Sequence, residues 1–208
     1  SIILFSSGSE GIPKGIELTG DNILGNAQQI ANILNVNDDD VILGSLPLFH
    51  AFGIVVTTYL PLIEGIKCAA FADPTDGLGI AKMVSREKAS IMCGTSTFFR
   101  LYTKNTKIHP LMFDSLRLIV AGAEKLRDDV RFEFKKRFGK DILEGYGTTE
   151  TSPVATCNLP DKISEDFEIQ IGQKIGTVGM AIPGTTIKIE NPISFEELKI
   201  GEEGMIII

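Results

Sequence analysis

The sequence predicts an α/β fold: a mainly parallel sheet with flanking helices, followed by the start of a β-rich subdomain. Two observations carry this. Between residues 41 and 144 short apolar runs alternate with longer stretches of helical spacing, the pattern of a parallel sheet covered on both faces. From about Asn158 the texture turns polar and irregular, and Gly176, Gly179, Pro183 and Gly184 punctuate short alternating runs such as Thr186 to Glu190. The expected division is an α/β region over 1–157 and a linker with an incomplete β-rich subdomain over 158–208.

Taken in order, Ile2-Ile3-Leu4-Phe5 reads as a strand that delivers the chain into a loop rich in small residues. Ile16-Glu17-Leu18 resumes an extended alternation. Asn22 to Leu34 carries Ile23, Ala27, Ile30, Ala31 and Leu34 at helical spacing, with Thr19 or Asp21 available as the cap. Val41-Ile42-Leu43 is a buried strand, Ala51 to Ile63 a helix, and Ile66 to Phe71 a strand. Leu78 to Glu87 is a helix, Ile91-Met92-Cys93 a strand, and Ser96 to Thr103 a helix. Leu118 to Ala121 is a strand, and Arg127 to Phe138 a helix that Gly139 is placed to end. Ile142-Leu143-Glu144 closes the series as a strand.

Composition limits the function classes. The chain has 208 residues, 43% of them hydrophobic, enough for one substantial core or one and a half. A net charge of −7 without any basic run speaks against nucleic acid as a partner. Apolar segments are too short, or too broken by Gly and Pro, to span a bilayer. Cys68, Cys93 and Cys157 are odd in number and widely spaced, which reads as buried free thiols in a reducing, cytoplasmic setting. Both ends read as cut within strand-like runs, so the sequence is expected to be a fragment of a longer protein.

Five segments carry chemistry-bearing residues, each after a predicted strand, where ligands of parallel sheets sit. The first is Ser6-Ser7-Gly8-Ser9-Glu10-Gly11-Ile12-Pro13-Lys14-Gly15. Its glycines allow tight turns, its N–H groups and hydroxyls can face an anion, and Lys14 adds a mobile positive charge. That suits polyphosphate, although an ordinary surface turn has the same composition. It is not a Walker A loop, which needs Gly-Lys-Ser/Thr opening a helix. The second is His50, which follows Leu-Pro-Leu-Phe; alone it is as readily structural as functional. Cys93-Gly94-Thr95-Ser96 joins a strand to a helix, with Thr95 or Ser96 as the plain reading of a cap. Ala121-Gly122-Ala123-Glu124-Lys125 offers a low wall and one carboxylate acceptor. Gly145-Tyr146-Gly147-Thr148-Thr149-Glu150 presents an aromatic ring between glycines, a hydroxyl, and a hard oxygen ligand able to hold Mg²⁺. A Gly-rich turn is the plain alternative.

The first and last of these segments resemble the adenylate-forming superfamily, whose members include acyl-CoA synthetases, luciferases and peptide-synthetase adenylation domains. Ser6 to Gly15 fits its phosphate-loop pattern, except that Glu10 stands where Thr is commoner. Tyr146, Gly147, Thr149 and Glu150 match its Tyr-Gly-x-Thr-Glu at every specified position. The other segments, and Gly176-Thr177-Val178-Gly179 with Pro183-Gly184, follow in the family order and cover nearly the whole chain. Leu-Pro-Leu-Phe-His, Gly-Thr-Ser-Thr-Phe, Val-Ala-Gly-Ala-Glu-Lys-Leu and Leu-Glu-Gly-Tyr-Gly are similar to the branch in which an acyl carrier protein synthetase is joined to a lysophospholipid acyltransferase.

The resemblance implies a fragment of the large N-terminal domain of an ATP-dependent, AMP-forming ligase, with a nucleotide- and acyl-binding region over 1–157. It lacks the N-terminal part of that domain and the C-terminal lid, and is expected to be inactive alone. ATP and Mg²⁺ are the implied cofactors, with a fatty acid, acyl carrier protein or coenzyme A, and a lysophospholipid acceptor as partners. A fused region outside this sequence would account for any inner-membrane association. Implied roles are Ser6, Ser7, Gly8, Ser9, Glu10, Gly11 and Lys14 for the β- and γ-phosphates, and Glu150 for Mg²⁺. Thr149 serves phosphate, and Gly122, Ala123, Glu124, Gly145, Tyr146, Gly147 and Thr148 the adenylate. His50, Gly94 and Thr95 line the acyl pocket, and Lys14, Thr149, Glu150 and His50 are the catalytic set. An amino-acid-activating domain and a non-enzymatic nucleotide-binding module are the alternatives. A P-loop ATPase is disfavoured by the Lys14-Gly15 order.

Overall fold

The structure is a computed structural model that describes residues 1–6, 12–164 and 166–208. Strands β1 (Ile2–Ser6) and β2 (Lys14–Leu18) form an antiparallel hairpin in which Ser6 pairs with Lys14 and Phe5 with Gly15. Ser7, Gly8, Ser9, Glu10 and Gly11, all expected in the phosphate loop, lie outside the described residues. Helix α1 (Gly20–Leu34) opens on a capping box: the Asn22 N–H donates to Thr19 Oγ1 at 3.2 Å, and the Thr19 N–H donates to Asn22 Oδ1 at 3.0 Å. Asn35, at φ 48°, ends it in the left-handed conformation that Asn tolerates.

The chain then alternates β3 (Val41–Gly44), α2 (Ala51–Ile54), α3 (Leu60–Glu64), β4 (Lys67–Ala70), α4 (Gly77–Glu87), β5 (Ile91–Gly94), α5 (Ser96–Lys104), β6 (Leu118–Ala121), α6 (Asp128–Phe138), β7 (Leu143–Tyr146) and β8 (Thr156–Cys157). Short strands β9 (Lys162–Ile163), β10 (Ile169–Gln170), β11 (Met180–Ala181), β12 (Lys188–Glu190) and β13 (Met205–Ile207) complete the described elements. Seven strands form the main sheet in the order β11-β8-β7-β6-β5-β3-β4. From β4 to β7 all pairings are parallel, and β8 and β11 add antiparallel edges. The α/β fold with a mostly parallel sheet and flanking helices is thus the one expected. The later β segment is less separate than its texture suggests, because β11 pairs with β8 and extends the main sheet.

Strand residues alternate between two cores, as the pleat requires. Ile42, Ile91, Cys93, Leu118, Val120 and Leu143 face the side covered by α1, α2 and α3. Leu43, Met92, Ile119 and Ala121 face α4, α5 and α6. The second side is built around Phe99, Phe113, Phe134 and Phe138, with edge-to-face pairs such as Phe99–Phe134, whose centroids are 5.5 Å apart.

Two expectations are corrected. The helix read over 51–63 is interrupted by a π turn at Val55–Tyr59. Pro61 has no N–H for the Thr57 carbonyl, and that carbonyl instead accepts from the Cys68 thiol, at 3.3 Å. Cys93 and Cys157 are buried, but Cys68 is exposed, because β4 is an edge strand of the main sheet.

Candidate active site at the carboxyl ends of the strands

In chain order β4 is laid on one side of β3 and β5 on the other, so the sheet reverses direction between β3 and β5. Ligands of open α/β sheets sit at such a reversal, beyond the carboxyl ends of the strands. A cleft of about 240 Å³ opens on that side of the sheet.

Its polar part comes from the ends of β1, β6 and β7. Ser6, His50, Gly122, Ala123, and the run Gly145 to Glu150 all line it. Residues 104 positions apart in sequence (His50 and Val154) therefore share one wall, with both counted among its lining. Tyr146 ends β7 and is half-buried, while Glu150 is exposed in the 3-10 turn Thr149–Thr151. Among the described residues Glu150 has no ion-pair partner within the protein. Strand β2, which begins at Lys14, packs against this same turn. Lys14 itself is exposed and lies outside the cleft lining.

The loop from Gly147 to Val154 is tightly held. A Cβ on Gly147 would overlap the Pro153 carbonyl oxygen, so only glycine fits there. The Thr148 N–H donates to Thr151 Oγ1 at 2.9 Å, and the Thr151 hydroxyl donates to the Pro153 carbonyl at 2.7 Å. Asn26 of α1, 5% exposed, clamps Val154 from the other side. Its Nδ2 donates to the Val154 carbonyl at 2.8 Å and its Oδ1 accepts from the Val154 N–H at 3.1 Å. Asn26 is legible in the sequence as one polar residue inside the apolar stripe of α1, between Ile23 and Ala27.

The apolar character of 49–56 and 91–99 favours an acyl substrate. Phe52, Val56 and Cys93 of those stretches do line the cleft, but the share contributed by α1 is not visible in the sequence. Ile30, Ile33 and Leu34 of α1, with Phe52 and Val56, line the apolar part. Cys93 and Cys157 are there too, and burial pushes both thiols up to about 12, so neither is a ready thiolate. His50 caps α2, its Nδ1 accepting from the Phe52 N–H at 3.2 Å, while remaining exposed to the cleft.

Three sequence-derived residues sit elsewhere. Gly94 follows Cys93 on β5, so the pleat turns it to the opposite face, where a Cβ would lie 2.9 Å from the Phe99 ring. Thr95 caps α5, its hydroxyl accepting from the Phe98 N–H at 3.4 Å. Neither lines the cleft. Glu124 turns towards the same helix: its Oε1 accepts from the Thr97 N–H at 2.5 Å. Burial works against its charge, but hydrogen bonds from Thr97 and Thr95 hold the carboxyl below its usual range.

The profile of the AMP-binding enzyme family matches residues 1–208. The chain belongs to that family. Among curated relatives, this AMP-binding chain is 30% identical over 213 residues to a probable 4-coumarate–CoA ligase 2 of Dictyostelium discoideum, covering 100% of this chain and 36% of that protein. It is 28% identical over 208 residues to a long-chain-fatty-acid–CoA ligase of Yersinia pestis, covering 98% and 35%. Among solved structures, ATP-bound MatB from Rhodopseudomonas palustris superposes with a TM-score of 0.80 at 28% identity, covering 98% of this chain and 38% of that one. The chain therefore spans about a third of the length of the relatives it matches.

Among the described residues no group of three or more His, Cys, Asp or Glu could hold a metal ion by itself. A lone, unpaired Glu150 fits a different arrangement, in which Mg²⁺ takes one protein carboxylate and draws its other ligands from nucleotide phosphates and water. No helix among the described residues is long and apolar enough to cross a membrane.

Proposed function

We propose that this chain is the nucleotide- and acyl-binding portion of an ATP-dependent acid–thiol ligase that activates a fatty acid. The observation that carries the reading is the single cleft in which an apolar floor from α1 and the π turn meets Tyr146, Thr149 and Glu150. A carboxylate with an apolar tail and a nucleotide triphosphate need those two surfaces side by side.

In the first step a carboxylate oxygen bonds to the α-phosphorus of ATP while the α–β phosphoanhydride bond breaks, giving acyl-AMP and pyrophosphate. In the second, a thiol of coenzyme A or acyl carrier protein attacks the acyl carbonyl, loses its proton, and AMP departs. The protein's contribution is positioning and charge complementarity. Tyr146 stacks on the base against the low wall at Gly122 and Ala123, and Thr149 holds a phosphate oxygen. Lys14 and the loop from Ser6 reach the β- and γ-phosphates, and His50 orients the carboxylate. Glu150 would hold Mg²⁺, which supplies neutralisation of phosphate charge when bound. The similarity of Leu-Pro-Leu-Phe-His and Val-Ala-Gly-Ala-Glu-Lys-Leu supports the finer reading: the synthetase portion of a bifunctional 2-acylglycerophosphoethanolamine acyltransferase/acyl-ACP synthetase, with a lysophospholipid as final acceptor. In this reading residues 1–157 form the binding region and 158–208 the start of the next subdomain.

ATP–pyrophosphate exchange by the full-length protein, with a panel of fatty acids and amino acids, tests the reading. Exchange driven by fatty acids alone is expected. Exchange driven by amino acids would overturn the acyl pocket while keeping the nucleotide assignments. ATP binding without exchange would point to a non-enzymatic module.

A further inference from the structure

The wall of the cleft at Gly122–Ala123 has a backbone in an unfavourable conformation and is followed directly by a side chain that points away from the cleft. Ala123 lines the cleft with φ at 66°, a left-handed value that is unfavourable for an L-residue with a Cβ. Such a conformation persists only where its surroundings over-determine it.

The surroundings here are specific. On one side, the Gly122 N–H donates to the Gly94 carbonyl at 3.1 Å, continuing the β5–β6 pairing past its end. Immediately after Ala123, Glu124 reaches across to the first turn of α5 and accepts from the Thr97 N–H at 2.5 Å. Two residues further on, the Leu126 N–H donates to the buried Glu144 at 3.2 Å, and the Arg127 N–H donates to Ser96 Oγ at 3.2 Å. The strained residue is thus pinned at both sides, and of the two bonds to α5 only that of Glu124 carries charge. Charge-assisted bonds to a helix N-terminus are among the stronger hydrogen bonds available at a surface.

From this geometry we infer that Glu124 is a positioning residue for the nucleotide: by bonding the first turn of α5 it locks the Gly122–Ala123 backbone in the shape that receives the base, without touching the base itself. The inference rests on the proposed adenylate-forming reading of the cleft. It departs from the expectation that Glu124 serves as an acceptor for adenine, since its carboxylate is directed to α5 and Glu124 is not part of the cleft lining.

The test is steady-state pyrophosphate exchange by the full-length enzyme, comparing wild type with Glu124→Ala and Glu124→Gln. Each is assayed with ATP and with purine riboside triphosphate, which lacks the 6-amino group. A positioning role predicts that Glu124→Ala raises the KM for both nucleotides by the same factor, about tenfold. Its kcat and its KM for the fatty acid should stay within twofold of wild type. Glu124→Gln, which keeps an acceptor oxygen, should recover most of the loss. A direct contact with the base would instead raise the KM for ATP alone and leave the analogue unchanged, overturning the inference. Equal loss in kcat and in both substrates' KM, with a lowered Tm, would reduce Glu124 to a structural cap and also overturn it. Unchanged KM values in Glu124→Ala would do the same. If wild type itself shows no exchange, the proposed function fails instead, so the two failures are separable.

Discussion

The two ends of the parallel sheet are built to opposite rules. At the amino ends, the residues that precede β3, β5 and β6 are tied into one network. Asp40, 3% exposed, accepts from Arg117 Nε at 2.7 Å, from Arg117 Nη2 at 2.5 Å and from Ser90 Oγ at 2.6 Å. Arg117 also donates to the Asn35 carbonyl at 3.0 Å, which fastens the C-terminus of α1. At the carboxyl ends, Lys14, His50 and Glu150 make no ion pair among the described residues. Charges that protein partners satisfy serve the fold. Charges left open around the cleft are available to a ligand, and the contrast separates the two ends without reference to any motif.

The sharpest way to break this contrast is to change one charge at each end. Glu150→Gln should lower pyrophosphate exchange by about 10²- to 10³-fold, the scale of losing one preorganised electrostatic group. Its unfolding midpoint in urea should match wild type, because no protein partner loses an interaction. Arg117→Ala should do the reverse. Removing one partner of a buried pair strands the other, but Arg117 is itself 36% exposed, so the cost is discounted to about 2 kcal/mol. Exchange per folded molecule should hold near the wild-type value. A stability loss in Glu150→Gln comparable to that of Arg117→Ala would dissolve the distinction.

The two ends also differ in how much of them was legible in the sequence. The alternation of elements was readable because β5 and β6 are buried on both faces, and β3 nearly so, and these appear as uninterrupted apolar runs. The run Gly145 to Glu150 was readable because its chemistry is contiguous. Gly94 and Cys93 were not separable, since which of two neighbours faces the cleft depends on which face α1 covers, a matter of long-range packing. The same limit hid Ile30, Ile33 and Leu34, whose spacing announces a buried face without saying that a cleft interrupts it. The contact of Glu124 with α5 was hidden for a related reason: Thr97 comes 27 residues earlier in the chain. The amino-end network was wholly invisible, because Asp40, Ser90 and Arg117 are far apart in sequence and ordinary in composition.

A pH titration sharpens the amino-end half of the comparison at smaller amplitude. Burial of Asp40 raises its carboxyl, but the hydrogen bonds from Arg117, Ser90 and Asn37 and the Arg117 charge more than offset that, leaving it below the ordinary value. A lowered carboxyl in the folded state means the unfolded chain takes up the proton first as pH falls. Its stabilising contribution is therefore complete above the ordinary carboxylate pKa of about 4 and is lost as pH drops through the lower folded value. Wild type and Asp40→Asn, compared by urea unfolding, should differ most at neutral pH and converge in acid. A gap that persists undiminished to the lowest accessible pH would assign the network's value to packing rather than charge.

The smallest effect is expected at the carboxyl end, and it has the opposite sign. Ala123→Gly removes the Cβ that makes φ near 66° unfavourable, a relief of roughly 1–2 kcal/mol. Glycine returns part of that through the extra freedom of the unfolded chain, about 0.5–1 kcal/mol. The net result should be a gain in stability of about 0–1.5 kcal/mol. The same exchange should loosen the Gly122–Ala123 wall and raise the KM for ATP a few-fold. A substitution that stabilises the chain while weakening nucleotide binding is the signature of strain kept for a ligand. If Ala123→Gly destabilises instead, the left-handed residue is fully accommodated by its neighbours and the wall stores no strain for a ligand.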